Sequence, residues 1–281
     1  MTNRTIYDAV CLNTSRSTTK AFSTSFSLGV RLLDKRFRDP IHTIYGFVRF
    51  ADEIVDTFHD HAQRELLDRF REDTDHAIRN KISLNPILHG FQTTVNRFGI
   101  EQELIDTFLQ SMAMDLQRRT HDQGSFERYV LGSAEVVGLM CLRVFCDGDR
   151  TLYERLKPHA MSLGAAFQKV NFLRDLKQDN MDLGRAYFPG TDINNLTADR
   201  KQAIEQDILL DFEHALEGVK QLPRGARVGV HLAYLYYRHL FKMICSTPSK
   251  DLFTRRVRVP DHRKLGLLLG TMVQHKLNLI R

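Results

Sequence analysis

Two segments of the sequence each place a pair of carboxylates on one face of a predicted helix. The segment YGFVRFADEIVD contains Tyr45, Arg49, Asp52 and Asp56. At 100° per residue, these four side chains lie within about 60° of one another. The remaining positions are mostly apolar, whereas a solvated helix usually has a broad polar face. A partly exposed stripe with an Arg49–Asp52 ion pair is the alternative interpretation.

The segment FQKVNFLRDLKQDN repeats this arrangement. Gln168, Asn171, Asp175 and Asp179 span about 80° of one helical face, and apolar residues occupy much of the other side. A surface stripe is again the alternative, because charged and amide residues also flank the segment. Two such stripes in one chain nevertheless favour a shared chemical role.

Carboxylates spaced four residues apart repel each other along a helix, and the repulsion grows when they are desolvated. A divalent cation would offset this cost. Mg²⁺ takes oxygen ligands, keeps several waters and bridges readily to phosphates. Arg49, Arg174 and Arg185 would supply fork-shaped phosphate contacts. With apolar flanks for a hydrocarbon tail, the pattern indicates ionisation of an allylic diphosphate in a dry cavity.

The elements that must position these stripes are predicted to be helices. Apolar residues recur at three-to-four spacing, and no alternating strand pairs with hairpin turns are evident. Asp39-Pro40 and Asn85-Pro86 are typical of helix starts. The predicted helices cover residues 6–20, 22–33, 40–57, 62–80, 85–98, 101–118, 126–147, 150–181, 197–220, 224–246 and 262–279. Residues 183–196 are predicted to form a loop. No linker divides the chain, so we expect one all-α domain over residues 1–281.

Composition excludes several other classes of protein. The 281 residues include 40 Lys+Arg and 34 Asp+Glu, a net charge of +6, and 42% are hydrophobic, so global disorder is excluded. The four cysteines form no CxxC pair, which argues against a disulfide framework or a zinc site and favours a reducing compartment. We expect no signal peptide and no membrane span, and therefore a cytoplasmic protein.

At the two acidic stripes the sequence resembles the squalene/phytoene synthase family of head-to-head prenyltransferases, over roughly residues 15–270. Both DxxxD motifs of the family are present, at Asp52/Asp56 and Asp175/Asp179. MAMDL at 112–116 and YVLGSAEVVGLM at 129–140 resemble the middle blocks of the family. FSTSF at 22–26 resembles the segment that flanks the bound diphosphate. The other family positions retained around the second motif are Gln168, Asn171, Arg174, Gly184, Arg185, Tyr187 and Pro189.

The resemblance implies an isoprenoid-synthase bundle of helices around a central cavity. It implies that two prenyl diphosphates bind there with two or three Mg²⁺ ions. The four motif aspartates, with Asn171, would be the metal ligands. The residues implied to position the diphosphates are Phe22, Ser23, Thr24, Ser25, Tyr45, Arg49, Gln168, Arg174, Arg185, Tyr187 and Tyr237.

Two places depart from the family pattern, and one basic segment has two interpretations. QRRTHDQG follows MAMDL where relatives often have an aromatic residue, and residues 180–183 are less basic than in many relatives. The segment RRVRVPDHRK at 255–264 fits diphosphate or anionic lipid binding, or a solvated loop. A late arginine contacts diphosphate in some relatives, and either Arg256 or Arg258 matches it.

We therefore expect condensation of two geranylgeranyl diphosphates to phytoene through a cyclopropylcarbinyl diphosphate, without NADPH. A member of the family that uses a fifteen-carbon substrate and makes squalene, dehydrosqualene or presqualene diphosphate is the alternative. A non-catalytic assembly or binding protein is less favoured, because all four motif aspartates are present. We expect no nucleic-acid partner, since no binding motif accompanies the small charge excess. The expected state is a monomer or weak homodimer, and peripheral membrane contact stays open.

Overall fold

The computed structural model of the chain describes residues 2–117, 120–181, 184–190, 196–260, 263, 266–268 and 270–271. These residues form α-helices and connecting segments, with no β-strand among them. The prediction of an all-α fold is confirmed. The helices are α1 Asn3–Phe22, α2 Thr24–Arg31, α3 Lys35–Asp56, α4 Gln63–Asn80, α5 Pro86–Phe98, α6 Gln102–Asp115, α7 Gln123–Val130, α8 Val136–Cys146, α9 Arg150–Met181, α10 Ala198–Gln221, α11 Arg224–Cys245 and α12 Ser249–Leu252.

The two predicted proline starts have different outcomes. α5 begins at Pro86, and the Asn85 side chain accepts hydrogen bonds from the backbone N–H groups of Ile87 and Leu88. The start at Pro40 is wrong, because α3 already begins at Lys35 and Pro40 lies inside its second turn. A proline so close to the start of a helix removes only one early hydrogen bond, and tertiary packing of the buried Pro40 offsets that loss.

The helix predicted over 126–147 is interrupted in a way that the sequence did not indicate. A π-helical segment, Leu131–Glu135, separates α7 from α8. A Cβ atom on Gly132 would lie 2.6 Å from the Ser111 Cβ of α6, so only glycine allows this approach.

By length and composition, 123–146 also qualifies as a membrane span, alone among the described residues. It packs against α6 and α9, and a core helix passes the same test.

Some predicted elements fall partly outside the described residues. Most of the predicted helix over 262–279 does, and so does part of the loop over 183–196. The described part of that loop, residues 184–190, is non-helical as predicted. The short helix α12 was not predicted. The two segments that depart from the family pattern lie partly outside the described residues, at 118–119 and 182–183.

A cluster of aromatic rings holds α3 in place. Phe47 is fully buried, stacks on Phe91 with ring centroids 3.9 Å apart, and also contacts Phe70 and Phe108. The buried residues of α3 lie about 150° around the helix from the acidic stripe, since each residue turns the helix by 100°. Burying one face therefore directs the acidic stripe away from this core.

Replacing Phe47 with alanine should lower the free energy of unfolding by about 3–5 kcal/mol, because the cavity left between three rings cannot collapse. Urea denaturation followed by circular dichroism measures this change. Leu210→Ala is the control, since Leu210 is 65% exposed. A loss at Phe47 below about 1 kcal/mol, similar to an ordinary surface substitution, would contradict the assigned packing.

Candidate active site

A cavity of about 570 Å³ runs along one face of α9. Its lining changes from apolar at Leu156, Leu163 and Phe167 to polar at Asn171 and Arg174. These positions share a helical face because they recur every three or four residues. At 1.5 Å per residue, the lined face is about 27 Å long. One helix thus provides both a polar end and a long apolar wall.

Small residues widen the apolar part of this cavity. Gly138, Gly164, Gly218 and Gly229 all line it. A Cβ atom on Gly229 would lie 2.7 Å from the Gly29 carbonyl oxygen, so α2 and α11 approach closely there. At the deep end Phe145 contacts Phe37 edge-on with ring centroids 5.7 Å apart. Close helix contacts and buried aromatic rings thus enclose an apolar volume.

The four motif aspartates lie beyond the polar end of the cavity, at the carboxyl ends of two helices. Asp56 is the last residue of α3, and Asp179 lies in the last turn of α9. The carboxyl end of a helix carries a partial negative charge, which disfavours acidic side chains and attracts cations. Neither helix has a basic residue in its last turn. This arrangement accumulates negative charge at one place.

The protonation of the aspartates reflects this accumulation. Burial raises the pKa of Asp52 to about 8, and the neighbouring Asp56 carboxylate adds to the shift. Burial also raises the pKa of Asp179 to about 8, with further contributions from Asp175 and Asp56. Neither Asp52 nor Asp179 has an ion-pair partner among the described residues. Negative charge on either carboxyl is therefore unfavourable and is not offset by an ion pair with a described residue.

Arginines neutralise the other two motif aspartates. Arg185 Nη1 donates to Asp56 Oδ1 at 2.6 Å, and Arg256 Nε lies 2.6 Å from Asp175 Oδ1. Arg174 Nε donates to both carboxylate oxygens of Asp175 at 3.1 Å. The predicted alternative, an ion pair between Arg49 and Asp52, is wrong. Arg49 pairs with Glu53 on the next turn and lies over the Phe22 ring.

Asp115, at the end of α6, is a residue of this region that sequence reasoning missed. Tyr129 OH donates to its Oδ2 at 2.6 Å, and Tyr187 OH donates to its Oδ1 at 3.3 Å. Burial raises the pKa of Asp115 to about 7, while the Arg185 charge opposes the shift. Arg185 is thus placed between the carboxylates of Asp56 and Asp115. The sequence signal that could have identified Asp115 is its place in the MAMDL block.

The segment 184–188 connects the two acidic motifs. The Arg185 backbone N–H donates to the Asp179 carbonyl oxygen at 2.8 Å, while its guanidinium binds Asp56 and the Val55 carbonyl oxygen. The Tyr187 ring stacks on Phe172 of α9 with centroids 4.1 Å apart. The carboxyl ends of α3 and α9 are therefore held together by this segment.

The structure brings most of the predicted site residues to one cavity. The predicted substrate and metal residues that line it are Phe22, Ser23, Ser25, Tyr45, Arg49, Gln168, Asn171, Arg174 and Tyr237. Thr24 is exposed and does not line it, while Arg185 and Tyr187 are buried beside Asp115. Arg256 lines the cavity and Arg258 does not, so Arg256 takes the position left open between them.

Ser23 separates the first two helices at the polar end of this cavity. Its side chain accepts a hydrogen bond from the Phe26 backbone N–H at 3.2 Å and thereby begins α2. The amino end of a helix carries partial positive charge, which suits a negatively charged group. Tyr237 OH donates to Asn171 Oδ1 at 3.2 Å and orients that amide.

The donor set fits Mg²⁺. Two carboxylates per motif supply the hard oxygen ligands that this ion prefers, and its remaining positions are usually taken by water and phosphate. Within the described part of the chain, no three carboxylate, histidine or cysteine side chains converge closely enough to hold one ion. Each pair therefore suits a cation shared between the protein and a bound diphosphate, rather than one enclosed by protein.

Comparisons with known proteins agree with this site. The family model described as squalene/phytoene synthase matches residues 19–263. Presqualene diphosphate synthase of Rhodopseudomonas palustris is 30% identical over 172 residues, which cover 60% of this chain and 59% of that protein. Phytoene synthase of Arthrospira platensis is 26% identical over 280 residues, covering 90% of this chain and 89% of that protein. The match thus spans less than two thirds of the first relative.

The same fold is found among solved structures. A dehydrosqualene synthase, determined in complex with a ligand, superposes with a TM-score of 0.79 at 20% sequence identity. The superposition covers 96% of this chain and 98% of that one. The likeness therefore extends over the whole helical bundle.

Mg²⁺ together with inorganic pyrophosphate should stabilise the protein, because the cation relieves the repulsion between the aspartates. At ligand concentrations a hundred times the Kd, the gain should be about 2.7 kcal/mol, visible as a rise in Tm. EDTA should remove the part of the gain that depends on Mg²⁺. Asp175→Asn should abolish this Mg²⁺-dependent part, whereas Asp68→Asn, in the exposed ion pair with Arg64, should keep it. An undiminished gain in Asp175→Asn would contradict the assigned metal site.

Proposed function

Since this chain belongs to the squalene/phytoene synthase family, we propose that it condenses two prenyl diphosphates head to head. The proposed substrate is geranylgeranyl diphosphate and the proposed product is phytoene. The observation that carries the proposal is the position of the paired aspartates. They lie at the carboxyl ends of α3 and α9, beside a cavity whose wall becomes apolar along one face of α9.

The proposed metal ligands are Asp52, Asp56, Asp175 and Asp179, with Asn171. When bound, Mg²⁺ neutralises the charge of a departing diphosphate. The four carboxylates stay at the polar end of the cavity, because each lies on a helix whose opposite face packs in the core. The Tyr237 hydroxyl donates a hydrogen bond to the Asn171 amide oxygen and thereby fixes the orientation of that amide.

The arginines are proposed to change partners when substrate binds. Arg174 and Arg256 pair with Asp175. Asp175 as a ligand of a cation would release both guanidinium groups to diphosphate oxygens, which they would bind as planar forks. Asp115 remains beside Arg185 and keeps that buried guanidinium neutralised when Asp56 is engaged.

The apolar wall is proposed to protect the carbocation. The first diphosphate leaves, and the double bond of the second substrate captures the allylic cation. Loss of a proton to the released diphosphate then closes the ring of a cyclopropylcarbinyl diphosphate. A second ionisation, rearrangement and loss of a second proton, again to the released diphosphate, give the symmetric C1–C1′ product. Leu163, Phe167 and Val137 line the adjacent cavity and exclude water, which would otherwise quench each cation.

Three observations bear on the length of the substrate. Phytoene synthases align with a larger share of this chain than the presqualene diphosphate synthases do, 90% compared with 60% for the relatives described above. The small residues along the cavity also leave room for a long chain. The higher identity of the presqualene relative, 30%, supports the fifteen-carbon alternative. No NADPH requirement is proposed.

Product analysis tests the proposed substrate. Purified protein with Mg²⁺ and geranylgeranyl diphosphate should form phytoene, with or without NADPH, as detected by chromatography and mass spectrometry. Parallel reactions contain farnesyl diphosphate. A thirty-carbon hydrocarbon or presqualene diphosphate as the main product would contradict the chain length but retain the reaction class. Folded protein that converts neither substrate would contradict the reaction itself.

Asp52→Asn and Asp175→Asn should each lower kcat/KM by roughly three orders of magnitude. Each variant loses several kcal/mol of charge stabilisation, and 1.36 kcal/mol corresponds to a tenfold change in rate. Tm without Mg²⁺ should stay close to the wild-type value in Asp52→Asn, since removing one of two repelling carboxylates does not destabilise the fold. Asp175→Asn also leaves Arg174 and Arg256 without their carboxylate partner and should lower Tm, so its folding is checked by circular dichroism. Asp68→Asn is the matched control. Wild-type turnover in either motif variant would overturn the assignment of that aspartate.

A further inference from the structure

A second cavity, of about 550 Å³, lies between the end of α11 and the segment that follows α12. Six of its ten described lining residues carry basic side chains, and none of the ten is acidic. We call it the basic pocket, defined by Lys242, Arg255, Arg256, Arg258, Arg263 and His239. The remaining lining residues are small, polar or apolar. The basic pocket therefore concentrates positive charge in a concave surface.

Several of these cations have no carboxylate partner among the described residues. Arg255 pairs with Asp251 at 3.4 Å and Arg256 pairs with Asp175. Lys242, Arg258 and Arg263 make no ion pair with any described residue. The dipole of α11 accounts for Lys242, which lies in its last turn. It does not account for Arg258 and Arg263, which come from the following segment.

The protonation of His239 in the basic pocket reflects the positive charges around it. Arg263 Nη1 lies 3.3 Å from His239 Nε2. Because a guanidinium has no acceptor, the histidine nitrogen must accept this hydrogen bond and is unprotonated. Burial lowers the pKa of His239, and the charges of Arg263 and Lys242 lower it further. Positive charges of Arg263 and Lys242 thus lie close together around this histidine.

The neutral polar groups of the basic pocket already have partners. Ser246 Oγ donates to the Lys242 carbonyl oxygen at 3.0 Å, and Thr247 Oγ1 donates to the Met243 carbonyl oxygen at 2.9 Å. The charged side chains are therefore the donors available to a ligand. Arg and Lys donors arranged in a concave surface bind phosphate oxygens strongly.

The basic pocket adjoins the candidate active site through one residue. Arg256 lines both cavities, and its Nε contacts Asp175 of the second acidic motif. An anion in the basic pocket would attract the same guanidinium that neutralises Asp175. The two sites are thus placed to compete for Arg256.

We propose that the basic pocket is a second anion site, separate from the aspartate motifs, which binds a phosphate-bearing ligand without a metal ion. The ligand chemistry is a phosphate oxyanion, present in a diphosphate group or in a phosphodiester. It is carried either by free pyrophosphate or by the headgroup of an anionic phospholipid. The proposal rests on the pocket itself and does not require the proposed condensation.

The test uses inorganic pyrophosphate in EDTA, measured by isothermal titration calorimetry. Wild-type protein should bind, and Lys242→Gln/Arg258→Gln should weaken binding by at least about tenfold, because each lost charge-assisted contact contributes to affinity. Lys81→Gln/Arg79→Gln removes the same charges at the distant end of α4 and should bind as wild type does. Arg49→Gln, in the active-site cavity, should also keep metal-free binding.

The second arm replaces pyrophosphate with vesicles. Sedimentation with phosphatidylglycerol vesicles, compared with phosphatidylcholine vesicles, tests the headgroup source in the same four proteins. Loss of either pyrophosphate or phosphatidylglycerol binding in Lys242→Gln/Arg258→Gln alone supports the site and identifies the source. Wild-type binding in that variant, equal loss in the Lys81 control, or no binding of either probe by wild-type protein would overturn the site.

The turnover of Lys242→Gln/Arg258→Gln separates this proposal from the proposed function. Failure of the wild-type protein to convert prenyl diphosphates would leave the metal-free binding results unchanged. Conversely, normal phytoene formation together with unaltered anion binding in the variant would contradict the basic pocket while retaining the condensation.

Discussion

The concentration of carboxylates at the carboxyl ends of α3 and α9 is the constraint on which the site depends. Asp52 and Asp179 are held where burial, neighbouring carboxylates and the helix dipoles all oppose ionisation. A fold under selection for stability alone would not place charges in this way. Cations at the proposed metal site would offset this repulsion.

Neighbouring residues offset the energetic cost of placing these carboxylates together. Arg185 is buried between Asp56 and Asp115, and two tyrosine hydroxyls donate to Asp115. Arg174 and Arg256 likewise neutralise Asp175 through ion pairs. On the opposite face of α3, the Phe47 cluster provides the apolar burial that holds the acidic stripe in place. Apolar packing thus stabilises a polar end that is unfavourable by itself.

The polar end and the apolar part of the cavity lie along the same helix, α9. Because α9 carries both the second acidic motif and the apolar lining, a diphosphate bound at the motif directs its hydrocarbon tail along the same helix. Membership in the squalene/phytoene synthase family agrees with this geometry. The basic pocket adds a second place for negative charge, joined to the first by Arg256.

Local periodicity determined much of this protein from the sequence: the all-α class, the 150–181 helix and the two acidic stripes, because three-to-four spacing is a property of one helix. It failed at Pro40 and at the π-helical segment, where packing against other helices decides the backbone. The tertiary structure alone decided that Arg49 pairs with Glu53, that Arg256 rather than Arg258 reaches Asp175, and that Arg185 joins Asp56 to the second motif. These contacts depend on how separate helices are placed in three dimensions or on which rotamer the packing allows, and neither is encoded in spacing along a single helix.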